Sequence, residues 1–308
     1  MIGPRRGAAI RRPANQFAPS ASILEGISVS ILNAILLGLV QGIAEFLPIS
    51  SSGHLSVLQN LFHMSTAEQG HLLFDVMLHV GTLISILIVY WRDLRQMVRE
   101  TIWFFQGRGL RTGKGRGRRA LPMARLVLML VFATLPLVLI LPVKSRVETL
   151  YYHTFAIGLF FLLTGCILYV SDHMPQGSRS ERNMTVADAL LIGLCQCVAT
   201  IPGVSRSGVT ITAGMARGLD REFAVKFSFL LSIPAVVGSA LLTLIDAVRA
   251  GIDGSLIPAY LIGTAVSALV GVASIRLLQR ITRRGNFGRF CYYLWGAGVI
   301  TIILTVLF

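Results

Sequence analysis

Residues 123–143, MARLVLMLVFATLPLVLILPV, carry one charged side chain, Arg125, in a stretch that as a helix crosses a bilayer core. Two more runs, TFAIGLFFLLTGCILYV (154–170) and YLIGTAVSALVGVASI (260–275), approach the ~20 apolar residues that span ~30 Å of hydrocarbon. Charged residues are 14% of the chain, where a soluble surface usually takes about a quarter. No segment between the apolar runs is long enough to build a core of its own. The expected class is an all-α polytopic membrane protein, and a soluble domain is excluded.

The formal net charge of +14 suggests a nucleic-acid partner until its placement is read. Basic residues gather in short stretches between apolar runs, most densely in 92–125, with ten Lys/Arg against two acids. That stretch reads as a loop, flexible through GRGLRTGKGRGRR, facing the cytoplasm and anionic headgroups under the positive-inside rule. Nucleic acid is therefore not expected. Residues 1–24 read as a disordered basic tail without the features of a signal peptide, and 25–308 as one transmembrane domain. Cys166, Cys195, Cys197 and Cys291 all lie in apolar runs and read as small buried hydrophobes.

With 92–125 inside, the runs 122–142 and 154–171 cross out and back. If 185–202 also crossed, the cluster Arg276, Arg280, Arg283, Arg284 and Arg289 would be exported. A re-entrant hairpin over 185–218, turning at IPGVSRSG, removes the conflict. Irregular backbone at that depth must line a cavity or be buried in protein.

A shift of 155 superimposes GLVQGIAEFLPISSSG (38–53) on GLCQCVATIPGVSRSG (193–208), with Gly38, Leu39, Gln41, Ser50, Ser52 and Gly53 all matched. Three spans separate the copies, so the second is upside down relative to the first. The expectation is an inverted-topology repeat, about 25–171 and 185–308, with about six transmembrane helices and two re-entrant helix-loop-helix hairpins. The arginines of the tail object, since the first hairpin then enters from the outer side and places them outside.

Ionisable groups inside a membrane cost about 2.5–3.5 kcal/mol or more and default to function. Copy one supplies Glu45, His54 and the hydroxyls of Ser50, Ser51 and Ser52; copy two supplies Arg206 between Ser205 and Ser207, then Thr210. Arg206 offers a planar fork for phosphate oxygens, strengthened by the backbone N–H groups of GVSRSG. His54 reads as a proton shuttle and Ser51 or a neighbour as a nucleophile. Gln41 and Glu45, four apart on one helix face, suit a hard divalent cation through oxygen ligands, magnesium above all. Asp75 and Asp188 read instead as interfacial or helix-start residues. Small and hydroxyl residues also serve helix packing in membranes, which is the competing account of the serines taken singly but not of Glu45, His54 and Arg206 together. The chemistry is phosphoryl transfer or hydrolysis on a membrane-embedded phosphate ester.

QGIAEFLPISSSGHL and PGVSRSGVT (202–210) resemble the two signature motifs of the undecaprenyl-diphosphatase, or bacitracin-resistance, family. The first fits [E/Q]-x-x-x-E before a Ser-rich turn and Gly-His; the second fits P-G-x-S-R-S-x-x-T, and the likeness runs from 25 to 308. It implies a phosphatase that converts undecaprenyl diphosphate to the monophosphate carrier of peptidoglycan synthesis. It also implies a cytoplasmic-membrane location, a site open to the outer side and a divalent cation, Mg or Ca. By position, Glu45 is the motif acid, His54 the motif histidine, Ser51 the candidate nucleophile and Arg206 the phosphate clamp. Ser205, Ser207 and Thr210 are further contacts. Gln41 stands where many members carry glutamate, which weakens the metal expectation relative to hydrolysis. The expected partners are a polyprenyl diphosphate and the bilayer, with a homodimer left open.

Two rival readings differ in chemistry. Acid-phosphatase-like lipid phosphatases need a histidine shortly after the Ser-Arg pair, whereas the last histidine here is His173. A polyprenyl-phosphate flippase would use the same intramembrane site for binding and alternating access alone. A scaffold protein has no use for the intramembrane Glu, His and Arg.

Overall fold

The computed structural model describes residues 31–61, 69–107, 121–250 and 254–307. The basic tail 1–24 lies outside them, as does most of the GRGLRTGKGRGRR segment. All regular structure among the described residues is helical, apart from one isolated bridge between Arg179 and Leu219.

The described residues begin with a hairpin, α1 (Ile31–Ala44) and α2 (Ser51–Leu61), joined by a tip at 45–50. α3 (Gln69–Val89) bends by 78° at Tyr90 into α4 (Trp91–Phe105). α5 (Pro122–Thr134) continues through a 3-10 run, Leu135–Val143, into α6 (Lys144–Thr149). Pro136 and Pro142 remove two helical donors from that run, which favours the tighter winding. α7 (Thr154–Asp172) precedes a second hairpin, α8 (Val186–Val198) and α9 (Arg206–Ala216), with its tip at 199–205. α10 (Arg221–Ala250), α11 (Ile257–Arg283) and α12 (Phe290–Leu307) complete the bundle.

Among the described residues, five helical stretches are long and apolar enough to cross a bilayer, and the bent α3–α4 pair makes a sixth candidate. Leu128, Val131, Leu159, Leu163, Leu269 and Ile300 stand exposed on their outer faces, as lipid-facing side chains do. This is a multi-pass membrane protein.

The first part of the expected loop at 92–125 is instead helix α4. Met97 and Glu100 are buried while Arg92, Arg95, Val98 and Arg99 are exposed, so the apolar period is that of an amphipathic helix on the surface. α11 likewise runs on past the apolar stretch, carrying Arg276, Arg280 and Arg283 out of the core.

The hairpins share one register. α2 and α9 each begin and end 155 residues apart, as do the first residues of α1 and α8. Gly38 of α1 faces α11, where a Cβ would lie 2.8 Å from the Gly263 carbonyl oxygen; its counterpart Gly193 of α8 faces α5, 2.3 Å from the Ala133 oxygen. α1 against α11 and α8 against α5 is the exchange that a two-fold repeat requires.

The open ends of the hairpins lie at opposite ends of α7, a helix ~28 Å long. Asn60, at the end of α2, donates to Tyr151 O at 3.1 Å and Thr154 Oγ1 at 3.0 Å, at the start of α7. Beyond the other end of α7, Arg179 donates to Arg217 O at 2.8 Å and pairs with Asp188. Asp188 closes a capping box with Thr185 at the start of α8, the helix-start role expected of it. Burial works against its ionised form, but bonds from Thr185, Arg217 and Arg179 outweigh it and hold the carboxyl well below the usual range. Lys226–Asp93 and Arg283–Glu222 pairs tie α10 to α4 and α11 on this same face, so the basic residues gather at one end of the bundle.

The four cysteines are free; Cys291 is buried, while Cys166 is exposed and Cys195 and Cys197 are half-buried, so only Cys291 fits the expected role.

Candidate active site

The two hairpin tips use the same devices, with the left-handed residue two positions apart in the register. Pro48 and Pro202 stop the first helix, since proline cannot continue the ladder. The chain then turns through left-handed backbone, at Ser50 (φ 70°) in the first tip and at Gly203 (φ 92°) in the second. Ser50 caps α2 by accepting from Gly53 N at 3.3 Å, and Ser205 caps α9 by accepting from Gly208 N at 3.1 Å. The tips touch: a Cβ on Gly53 would lie 2.8 Å from the Gly203 Cα, and Ser207 Oγ donates to Leu47 O at 3.4 Å. Thr164 of α7 steadies the second tip by donating to Gly203 O at 3.0 Å.

This brings Glu45, Ser51 and Arg206 together. Arg206 Nη2 donates to Glu45 Oε1 at 2.5 Å, and Ser51 Oγ donates to Glu45 Oε2 at 2.6 Å. Gln41 Nε2 reaches the same Oε2 at 3.2 Å from one turn earlier on α1. Glu45 is almost fully enclosed, with 7% of its side chain exposed, and Arg206 has 19%. Ser51 and Arg206 are the first residues of α2 and α9, so two helix N-termini with unsatisfied N–H groups converge on one point. Two buried polar atoms there have no partner: Arg206 Nη1 and Gln41 Oε1.

His54 is not joined to that cluster by any hydrogen bond. Its Nδ1–H donates to Ser50 O at 2.8 Å, leaving Nε2 to accept from Tyr293 OH at 2.7 Å, and its ring lies 4.8 Å from that of Phe161. Four expected phosphate contacts also bond within the protein. Ser50 and Ser205 spend their hydroxyls as caps, Ser207 on the other tip, and Thr210 on Arg206 O and Ser228, at 2.8 and 2.6 Å; all four are buried. These bonds have a simple cause: sharp turns at this depth need local acceptors and donors for their own backbone. Ser52 is half-buried beside Ser51.

Two residues of α3 complete the site and carry no motif. His79 Nδ1–H donates to Asp75 O at 2.8 Å, and its Nε2 faces Glu45 Oε2 at 3.8 Å. Asp75 accepts from Gln59 Nε2 at 3.0 and 3.3 Å, which ties α3 to α2. Asp75 is thus tied into the hairpin framework. The available signal was an Asp and a His four apart within an apolar run.

For a divalent cation, Glu45 and Gln41 provide two oxygens, one of them the unpartnered Oε1. Among the described residues no three His, Cys, Asp or Glu gather around one point. A hard cation needs six or more oxygens. These donors fit a cation whose remaining ligands are water and substrate phosphate, and they do not form a cage made in advance.

The family model "Bacitracin resistance protein BacA" matches residues 34–300, which covers both tips. A protein of Methanosphaera stadtmanae named undecaprenyl-diphosphatase is 38% identical over 282 residues, 90% of this chain and 99% of its own length. Proteins of the same name from Pelotomaculum thermopropionicum and Carboxydothermus hydrogenoformans are 40% and 36% identical, over 90% and 88% of this chain and 97% and 96% of their own lengths. With both the motifs and nearly the full length matched, the chain belongs to the bacitracin resistance protein BacA family.

Proposed function

We propose that the chain hydrolyses undecaprenyl diphosphate to undecaprenyl phosphate and inorganic phosphate, returning the lipid carrier to peptidoglycan synthesis. The observation that carries this reading is Arg206. One arm of its guanidinium holds Glu45, and Nη1 is buried with no partner, beside a serine already bonded to that carboxylate. A buried cationic donor left open at two helix N-termini is a seat for a phosphate oxygen.

The terminal phosphate of the substrate takes Nη1 of Arg206 and the free N–H groups of the first turns of α2 and α9. Ser51 Oγ attacks its phosphorus and passes its proton to Glu45, the group it already donates to. The bridging P–O bond breaks, and its electron pair leaves with the lipid monophosphate. Water then cleaves the phosphoserine, giving its hydroxyl to phosphorus and its proton to the serine oxygen, and Glu45 releases the proton it took to solvent. His54, one turn along α2, exchanges protons through Nε2, the nitrogen that faces Tyr293. A divalent cation held by Glu45 and Gln41 Oε1 would neutralise charge on the substrate phosphates.

The basic face at the open end of the second hairpin supports a cytoplasmic placement of that face. The first hairpin then enters from the outer side of the cytoplasmic membrane as the inverted counterpart of the second, and the site serves substrate from outside. The relatives cited carry a phosphatase's name, and none carries a transporter's.

The test is phosphate release from undecaprenyl diphosphate by the purified protein in detergent, with and without chelator, beside His54→Ala. Release that chelation and the substitution both suppress is expected. Binding of the lipid with no release would replace the phosphatase with the flippase reading.

A further inference from the structure

The charges of α4 are sorted by side, and the chemistry above uses none of them. Its two acids turn inward. Asp93 pairs with Lys226 of α10, and buried Glu100 accepts from the Met123 and Ala124 N–H groups at the start of α5, at 2.8 and 3.3 Å. Arg92, Arg95 and Arg99 are exposed, and none meets a carboxylate among the described residues. At 100° per residue, Trp91, Val98, Ile102 and Phe105 fall within a sector of ~60°, and the three arginines fill the next ~60°. That apolar sector is exposed, Phe105 to 82%. A groove of about 570 Å³ follows the boundary between the two sectors, lined by Trp91, Arg95, Val98, Arg99, Ile102 and Trp103 among others. The Arg99 guanidinium lies 5.1 Å over the Trp103 ring, which holds it in place.

We propose that this groove binds an anionic phospholipid, with the headgroup phosphate on Arg95 and Arg99 and the upper acyl chain along Trp91, Val98 and Ile102. Three features select that occupant. The helix leaves α3 at 78°, so it cannot continue the crossing and lies along the bundle's end. A soluble anion would satisfy the arginines but leave Trp91, Val98, Ile102 and Phe105 in water. A zwitterionic lipid would satisfy the apolar sector but bring its own cation against three unpaired guanidinium groups. Because Asp93 and Glu100 bolt α4 to α10 and α5, the bound lipid would brace the face on which the second hairpin opens.

Trp295 is the third tryptophan of the chain, so Trp295→Phe leaves fluorescence from Trp91 and Trp103 alone. In this background the full-length protein is placed in nanodiscs containing brominated phosphatidylglycerol or brominated phosphatidylcholine at the same fraction. Quenching by the anionic lipid should reach half its maximum at a fraction lower by about 25-fold, on the order of fivefold for each of Arg95 and Arg99. Arg95→Gln with Arg99→Gln should erase that difference while phosphate release persists, which shows that the variant is folded. Equal quenching by the two lipids would overturn the proposal, as would a difference that survives the double substitution. Loss of the difference on adding millimolar inorganic phosphate would also overturn it, in favour of a site for soluble anions.

Discussion

Ser51 and Arg206 stand 155 residues apart at the first position of two matching helices, and both donate to one carboxylate, Glu45, at 2.6 and 2.5 Å. The same place in the repeat supplies the hydroxyl in one copy and the guanidinium in the other. Neither hairpin has a complete site. The two hairpins supply complementary halves, and the ion pair between them joins the tips.

Arg206→Lys keeps the charge and loses the fork, so it cannot hold Glu45 and a phosphate oxygen together. Its kcat should fall by about 10²-fold, the usual cost of one oxyanion donor. Arg206→Ala should also lower stability by roughly 3–5 kcal/mol, because it leaves Glu45 buried without its cation. Steady-state kinetics and thermal unfolding in detergent separate the two effects.

His79 faces Glu45 Oε2 at 3.8 Å without bonding it. His79→Asn should lower kcat by up to about 10²-fold through misplacement of the carboxylate, with KM little changed. A change in KM alone would assign His79 to substrate binding instead.

Tyr293→Phe removes one hydroxyl from His54 Nε2 and leaves the ring stack with His54, at 5.7 Å, in place. If the pair exchanges protons with solvent, kcat should drop about tenfold or more and its pH profile should change shape. Unfolding temperature should stay near that of the unsubstituted protein.

Gly38→Ala and Gly193→Ala each push a methyl group against a backbone carbonyl that has no room to move, at 2.8 and 2.3 Å. Each should cost roughly 1–3 kcal/mol, with the larger loss at Gly193. Equal tolerance of alanine at both positions would show that the α1–α11 and α8–α5 contacts are looser than their geometry.

The hairpins and the grouping of Glu45 with Arg206 in one site were legible in the residues because an offset of 155 aligns two polar clusters that membrane energetics forbid without a purpose. The same logic did not extend to His79, which sits mid-helix in α3 with no turn or motif around it. α4 was hidden by its composition: five of its fifteen residues, Arg92, Asp93, Arg95, Arg99 and Glu100, are charged, which reads as a basic loop until the helical period is drawn. The fates of Ser205, Ser207 and Thr210 were not legible at all. A hydroxyl in a motif can face a ligand or hold its own turn, and only packing distinguishes the two. Tyr293 lies 239 residues from His54, and nothing local marks it.

The most direct test uses undecaprenyl diphosphate labelled in its terminal phosphate, mixed with purified protein carrying Ser51, Ser51→Ala or Glu45→Gln. The account predicts rapid label release by the unsubstituted protein, transient label on the peptide containing Ser51, and losses of at least ~10²-fold in both variants. Unchanged release by Ser51→Ala would contradict it, since the reaction would then run without the hydroxyl that Glu45 holds.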